Sequence, residues 1–305
     1  MITAMRRAGV VGVILCLVLG ACTTKNSAQI GQKPEVMPSL PTTKRLKNLP
    51  APSDKLSVAI YSFRDRTGQR KPDENVAALS TAVTQGGAAI LVDAAFQAGG
   101  GDWFQIVERS GLDHLLRERK LIRATREQYG NGSRLAPLKF SGLILEGGII
   151  SYDTNQLTGG FGARLLDIGV NTEYRADVVS VFLRAVSVKT GRVVQSVKVS
   201  KTLYSAKLQS NVFKFIGVDE LLELEAGVSS NEPTQVAVRQ AIEAAVYSLI
   251  AEGAMNDLWS FEDPDAGQKF LKEYREIKDA KPLAAQKEAL NPNPDQSENE
   301  EATIF

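Results

Sequence analysis

A single histidine and two cysteines in 305 residues leave little from which to build reactive chemistry. Zinc sites gather His and Cys, and an activated nucleophile needs a nearby base. The one histidine, His114, falls on a predicted helix beside Leu115 and Leu116, where a partly buried helix residue is the ordinary reading. Carboxylates are plentiful, yet no pair of them is distinctive enough to nominate as catalytic. The glycine-rich pieces Gly99-Gly100-Gly101 and Gly160-Phe161-Gly162 lack the strand-to-helix setting and the lysine of a phosphate loop, and they read as turns. Nothing supports an enzyme, a metal or a dissociable cofactor. Charge of one sign is missing too: 36 Lys and Arg against 35 Asp and Glu leave a formal +1, no footprint for nucleic acid.

What is present begins at the N-terminus. Arg6 and Arg7 precede an apolar run, Val10 to Leu19, of the length of a signal h-region and well short of the roughly 20 residues a membrane-spanning helix needs. Leu19-Gly20-Ala21-Cys22 then resembles the lipobox of bacterial lipoproteins, with small residues at the cleavage point and a thiol where the lipid is attached. Residues 1–21 are therefore expected to be a lipoprotein signal peptide and Cys22 to carry a covalent lipid; the alternative is an ordinary secretory signal with a chance cysteine. Thr23, not Asp, follows Cys22, and by resemblance to known sorting rules that favours the outer membrane. Cys16 leaves with the signal, so no disulfide can form within one mature chain.

From residue 22 to about 55 the chain is polar, with Pro34, Pro38, Pro41, Pro50 and Pro52 and almost no apolar periodicity, and it reads as a tether. The body follows over 56–153. Leu56 to Phe63 alternates as a strand, Arg64 to Leu79 is a polar loop, and Ser80 to Gln97 is an apolar helix with Ser80 or Thr81 as N-cap and Gly99-Gly100-Gly101 as its stop. Phe104 to Glu108 is a short strand. Leu112, Leu115, Leu116, Leu121 and Ile122 mark an amphipathic helix backed by Arg117, Glu118, Arg119 and Lys120. This order implies a layered α/β body. Ser141 to Tyr152 is another strand, with Gly147-Gly148 a bulge or close approach.

Over 154–229 polar and apolar residues alternate. Glu173, Arg175 and Asp177 interleave with Tyr174, Ala176 and Val178, and Lys207 and Gln209 with Ala206 and Leu208. Turn signals at Gly169 to Thr172 and at Ser210-Asn211 predict two long hairpins, Thr154 to Arg184 and Val193 to Ser229. Within the second, Asp219 to Glu225 is equally compatible with helix, because Leu and Glu are strong helix formers. Ser230-Asn231-Glu232-Pro233 starts a helix whose stripe runs from Val236 to Met255, and a second helix spans Asp265 to Lys278, together closing the body over 230–278. Residues 279–305 lack periodicity and read as a disordered tail.

Alternation alone fits a soluble, half-buried antiparallel sheet better than a membrane structure, because open strand edges are not tolerated in lipid and four strands cannot close a barrel. Resemblance shifts that balance. Leu49-Pro50-Ala51-Pro52, Thr67-Gly68-Gln69, Glu108 to Leu112, Leu115-Leu116, Glu118-Arg119-Lys120, Ile122-Arg123-Ala124, Gly160, Gly162-Ala163-Arg164 and Ser230 to Pro233 together are similar to the curli secretion channel family over about Leu49 to Trp259. The resemblance implies an α+β protein, a periplasmic layered α/β domain plus two transmembrane β-hairpins per protomer forming an oligomeric β-barrel. Its implied partners are eight further copies of itself in a nonamer, the outer membrane, curli-like secreted subunits diffusing out unfolded without ATP, a periplasmic capping accessory protein and a surface nucleator-type accessory. The holdfast-attachment relatives of the family leave the cargo open. The rival reading is a periplasm-facing lipoprotein scaffold for a surface adhesin or holdfast polymer, with no pore.

In that family the loop after the first strand narrows the pore with a tyrosine and an Asn-Phe pair before Ser-Thr-Ala-Val. Here Ser80-Thr81-Ala82-Val83 stands, but the loop is one residue longer. Asp73 takes the tyrosine place, Ala78 the asparagine place and Leu79 the phenylalanine place. The expected constriction thus comprises Asp73, Glu74, Asn75, Ala78 and Leu79, with Leu79 as an apolar ring and Asp73 or Glu74 adding negative charge; capping of the following helix by the two acids is the alternative.

Overall fold

The computed structural model describes residues 39–71, 80–81, 83–130, 134–158, 173–209, 212–216 and 233–279. Cys22, the loop 72–79, the turn signals at 169–172 and 210–211, the ambiguous 219–225 and the tail from 280 lie outside the described residues.

The alternating run at the start of the body forms β1 (Leu56–Asp65), which lies between two parallel neighbours, β4 (Phe104–Val107) and β5 (Leu143–Thr158). Two short segments, β2 (Arg70–Lys71) and β3 (Ser80–Thr81), pair separately. From β5 the main sheet continues antiparallel through β6 (Glu173–Ser187), β7 (Val193–Gln209) and β8 (Val212–Ile216), in the order β4-β1-β5-β6-β7-β8. Five helices accompany it among the described residues: α1 (Pro41–Lys47), α2 (Gly87–Gln97), α3 (Leu112–Gln128), α4 (Pro233–Met255) and α5 (Pro264–Asp279).

The core lies on one face of this mixed sheet. Val58, Ile60, Leu145, Ile149, Val181 and Leu183 meet Leu91 from α2 and Ile242, Val246, Leu249 and Ile250 from α4. α4 is apolar nearly all round because it is covered all round, by β6 and β7 beneath and by α1 and α5 above, as expected for a buried helix. It begins at Pro233, which the sequence places in a first turn where no amide is needed. α2 ends on the expected glycines: Gly99, Gly100 and Gly101 all have left-handed φ, at 60°, 68° and 101°.

Several expectations are corrected. The tether does not extend to residue 55. Pro41 starts α1, and Thr43, Leu46 and Leu49 are buried. Glu243 of α4 accepts a hydrogen bond from the Thr43 hydroxyl at 2.7 Å and another from Thr42, and Trp103 Nε1 donates to the Pro50 carbonyl at 2.8 Å. Prolines that looked like linker punctuation serve as helix start and carbonyl acceptor. The helix expected from Ser80 starts at Gly87, because the amides of Ser80–Thr81 join Arg70–Lys71 in a two-rung ladder. Gly87 also has to be glycine there, since a Cβ would lie 2.8 Å from the Phe63 ring.

A third correction concerns the boundary at 153/154. β5, β6 and β7 run 16, 15 and 17 residues without a break, so the expected hairpins are prolongations of the body's own strands. The close approach at Gly147-Gly148 is real, with the β-bulges beside it, between Ile60 and Phe63 in β1 and between Ile149 and Ser151 in β5. Finally, α3 forms as predicted, yet none of its residues is buried; Leu116 is 42% and Leu121 61% exposed, and His114 is exposed as well. Leu116, Leu121 and Ile122 of its apolar stripe are left exposed by the rest of the described chain, while Leu112 and Leu115 are half-buried.

Candidate functional site

The stem of the loop after β1 and the long strands β5 and β6 meet at one place in the fold. β1 ends on Asp65, whose Oδ1 accepts from the Thr67 amide at 2.8 Å and from the Thr67 hydroxyl at 2.7 Å. This is the local turn that an Asp two residues before a Thr readily forms. Asp65 Oδ2 accepts from Gln85 Nε2 at 3.4 Å, so one carboxylate holds both ends of the excursion from β1 to α2. The β2–β3 ladder continues the stem outward, with Lys71 opposite Ser80. Asp73, Glu74, Asn75, Ala78 and Leu79 fall in the stretch that this ladder brackets and lie outside the described residues.

The stem is docked on the sheet. The Arg66 amide donates to the Ile149 carbonyl at 2.9 Å, and its guanidinium stands 5.5 Å from the centroid of the Phe182 ring, a cation–π contact. Gly147 and Gly148 make this approach possible, because a Cβ on Gly148 would lie 2.7 Å from the Arg64 carbonyl. Sequence reasoning saw the two glycines but missed the Asp65–Gln85 clamp; the Asp-x-Thr-Gly turn signature was the available signal.

Tyr152 and Val179, opposite one another, are a buried apolar pair. Next, Thr154 faces Asp177, which is fully buried and accepts from Tyr152 Oη at 3.3 Å. Beyond it, rungs Asn155–Ala176 and Leu157–Tyr174 alternate with Gln156–Arg175 and Thr158–Glu173. The residue types alternate from rung to rung, and in a β-ladder such alternation is the pattern of a two-faced sheet. β6 pairs on with β7 as far as Tyr174 opposite Ala206, and β7 pairs with β8 up to Gln209 opposite Val212. No helix among the described residues is long and apolar enough to cross a membrane.

A mixed sheet with helices on one face, strands of 15 to 17 residues and a clamped stem after β1 defines an α/β class of protein with unusually long sheet strands. The chain belongs to the curli production assembly/transport component CsgG family, whose model matches residues 40–277. It is 40% identical over 269 residues to the curli production assembly/transport component CsgG of Salmonella typhimurium, covering 87% of this chain and 95% of that one. Against the same component of Escherichia coli K12 the identity is 39% with the same coverage, and against that of Citrobacter koseri 40% over 272 residues.

Proposed function

We propose that this chain is an outer-membrane lipoprotein, anchored by a lipid on Cys22 with its α/β body in the periplasm, whose copies assemble into a secretion pore for unfolded, curli-like amyloid subunits. The single observation that carries the reading is the continuity of β5, β6 and β7 from a buried core into a ladder of alternating polar and apolar rungs. Such a ladder suits a barrel wall with one face to lipid and one to water. A single copy leaves strand edges unpaired, and unpaired edges are excluded from lipid, so membrane insertion requires a closed ring of copies, nine by family resemblance. The exposed Leu116, Leu121 and Ile122 of α3 support self-association in the same direction, since exposed apolar patches mark contact surfaces. The relatives are named as assembly and transport components of curli, and passage through such a pore is diffusive, needing no nucleotide. A periplasmic capping accessory and a surface nucleator-type accessory complete the expected partners.

Leu79 forms the apolar constriction, and Asp73 or Glu74, repeated around the ring, makes the pore cation-preferring. The test uses the full chain extracted in detergent. A pore predicts a heat-modifiable, SDS-resistant oligomer that conducts ions in planar bilayers. A monomer or a non-conducting assembly sinks the pore and leaves the scaffold for a surface polymer. In the same recordings, unchanged cation preference after Asp73→Ala with Glu74→Ala would remove the acidic ring without touching the pore.

A further inference from the structure

Where α1 and α5 pack on α4 they leave a cleft of about 390 Å³. Leu49, Tyr247 and Phe270 line it with apolar surface, Lys44, Arg45 and Lys269 bring positive charge, and Glu273 is the one carboxylate among its lining residues. Leu49 and Phe270 are each 6% exposed, whereas the three cations are exposed and, among the described residues, none of them forms an ion pair. An apolar floor under a cationic rim is complementary to a ligand that is anionic and then apolar.

The chain itself contains such a segment. Past α5, and past the last residue matched by the family model at 277, the sequence carries Asp295, Glu298, Glu300 and Glu301 with no Lys or Arg among them, followed directly by Ala302-Thr303-Ile304-Phe305. We propose that residues 295–305 dock into the cleft of their own chain, the acids against Lys44, Arg45 and Lys269 and Ile304 and Phe305 on the apolar floor.

Reach favours this occupant. Lys269 lies ten residues before the end of α5 at Asp279, about 15 Å along the helix axis. The sixteen residues from Asp279 to Asp295 have a root-mean-square span, for a coil of that length, of about 20–24 Å. Span and separation are of the same size, the condition under which a tethered segment has its highest effective concentration, so individually weak ion pairs suffice. The docked segment covers α1, the element that follows residues 22–38 on the way from Cys22, and ties the two ends of the body together. This holds whether or not the chain forms a pore.

The test is zero-length carbodiimide coupling on the full-length protein in detergent, read by peptide mass mapping. Docking predicts amide links from Lys44 or Lys269 to Glu298, Glu300 or Glu301, with a yield that falls about fivefold between about 0.05 M and about 0.5 M salt. Lys44→Glu with Lys269→Glu abolishes them. Adding Glu298→Lys, Glu300→Lys and Glu301→Lys to that variant restores links in the opposite sense. All these positions are exposed or lie beyond α5, and the unaltered protein supplies the primary reading, so misfolding of a variant does not decide the result. Tail links spread over distant lysines such as Lys189 and Lys198, or salt-independent yields, would overturn the proposal. So would links found only between isotope-labelled and unlabelled chains of a mixed assembly.

Discussion

At Gly147 a backbone carbonyl and a ring converge: a Cβ there would collide with the Phe182 carbonyl and lie 2.5 Å from a Phe63 ring carbon. Carbonyl and ring belong to a packed sheet and have little room to yield. Gly147→Val is expected to destabilise the fold by about 2–3 kcal/mol, measured as a shift in the urea midpoint followed by tryptophan fluorescence; a change below about 0.5 kcal/mol would mean that Phe63 can move aside. A second residue-scale effect concerns Tyr274, only 5% exposed. Burial first of all pushes its phenol up to about 12 from 10.0, against a lowering hydrogen bond with Ser248 and with help from the one it donates to Glu252. Because the folded state prefers the neutral phenol, its contribution is complete below pH 10.0 and is lost as pH rises towards about 12. Tyr274→Phe should therefore flatten the alkaline decline in stability, and an unchanged decline in denaturation midpoint would contradict the assignment. Tyr247, also raised chiefly by burial, acts with the same sign.

At the scale of elements, α1 and α3 contrast. α1 has only seven residues, too few to persist alone; it is held because Leu46 is fully buried and because Thr42, Thr43 and Arg239 all engage Glu243. Local propensity contributes less than the packing of one face. α3 has 17 residues and buries none. It is fastened at its start, where the Gly111 amide donates to Glu108 Oε1 at 2.6 Å, and along its side, where Arg119 donates to the Ala136 carbonyl. Leu116 and Leu121, both exposed, therefore contribute little to the stability of one chain. Leu116→Glu combined with Leu121→Glu is expected to leave the denaturation midpoint within about 0.5 kcal/mol of the parent while lowering the size of the detergent-extracted assembly. A full-sized assembly in that variant would assign the stripe to something other than self-association.

For the whole molecule, lipid attachment and strand insertion are separable. Residues 22–38 connect Cys22 to a body that is already packed at Leu40, a reach of at most about 55–60 Å when fully extended. On the proposed function, the lipid keeps each copy near the membrane while its strands find partners. Cys22→Ala should then leave the protein in the soluble periplasmic fraction and abolish secretion, checked by fractionation and by surface display of the cargo. Outer-membrane pores formed by that variant would show the anchor to be dispensable.

Sequence patterns alone were enough for the kind of most elements, though not for α1 or the β2–β3 ladder. Period-two alternation located β1 and the prolonged strands, Pro233 and the glycines after Gln97 marked helix ends, and ordered motifs pointed to the family before any geometry was considered. These signals are local or carried by the chain's order, so they survive without a fold. What only the tertiary structure decided are the competitions between distant partners. The stretch around Pro41 and Pro50 read as linker until Glu243 accepted from Thr42 and Thr43 and Trp103 donated to the Pro50 carbonyl. Ser80–Thr81 read as a helix start until Arg70–Lys71 took their amides. A boundary drawn at residue 154, where composition turns polar, vanished because the β-ladder is continuous across it. Composition reports what surrounds a strand, core or its surroundings beyond, whereas continuity depends on backbone hydrogen bonds that no residue type reveals.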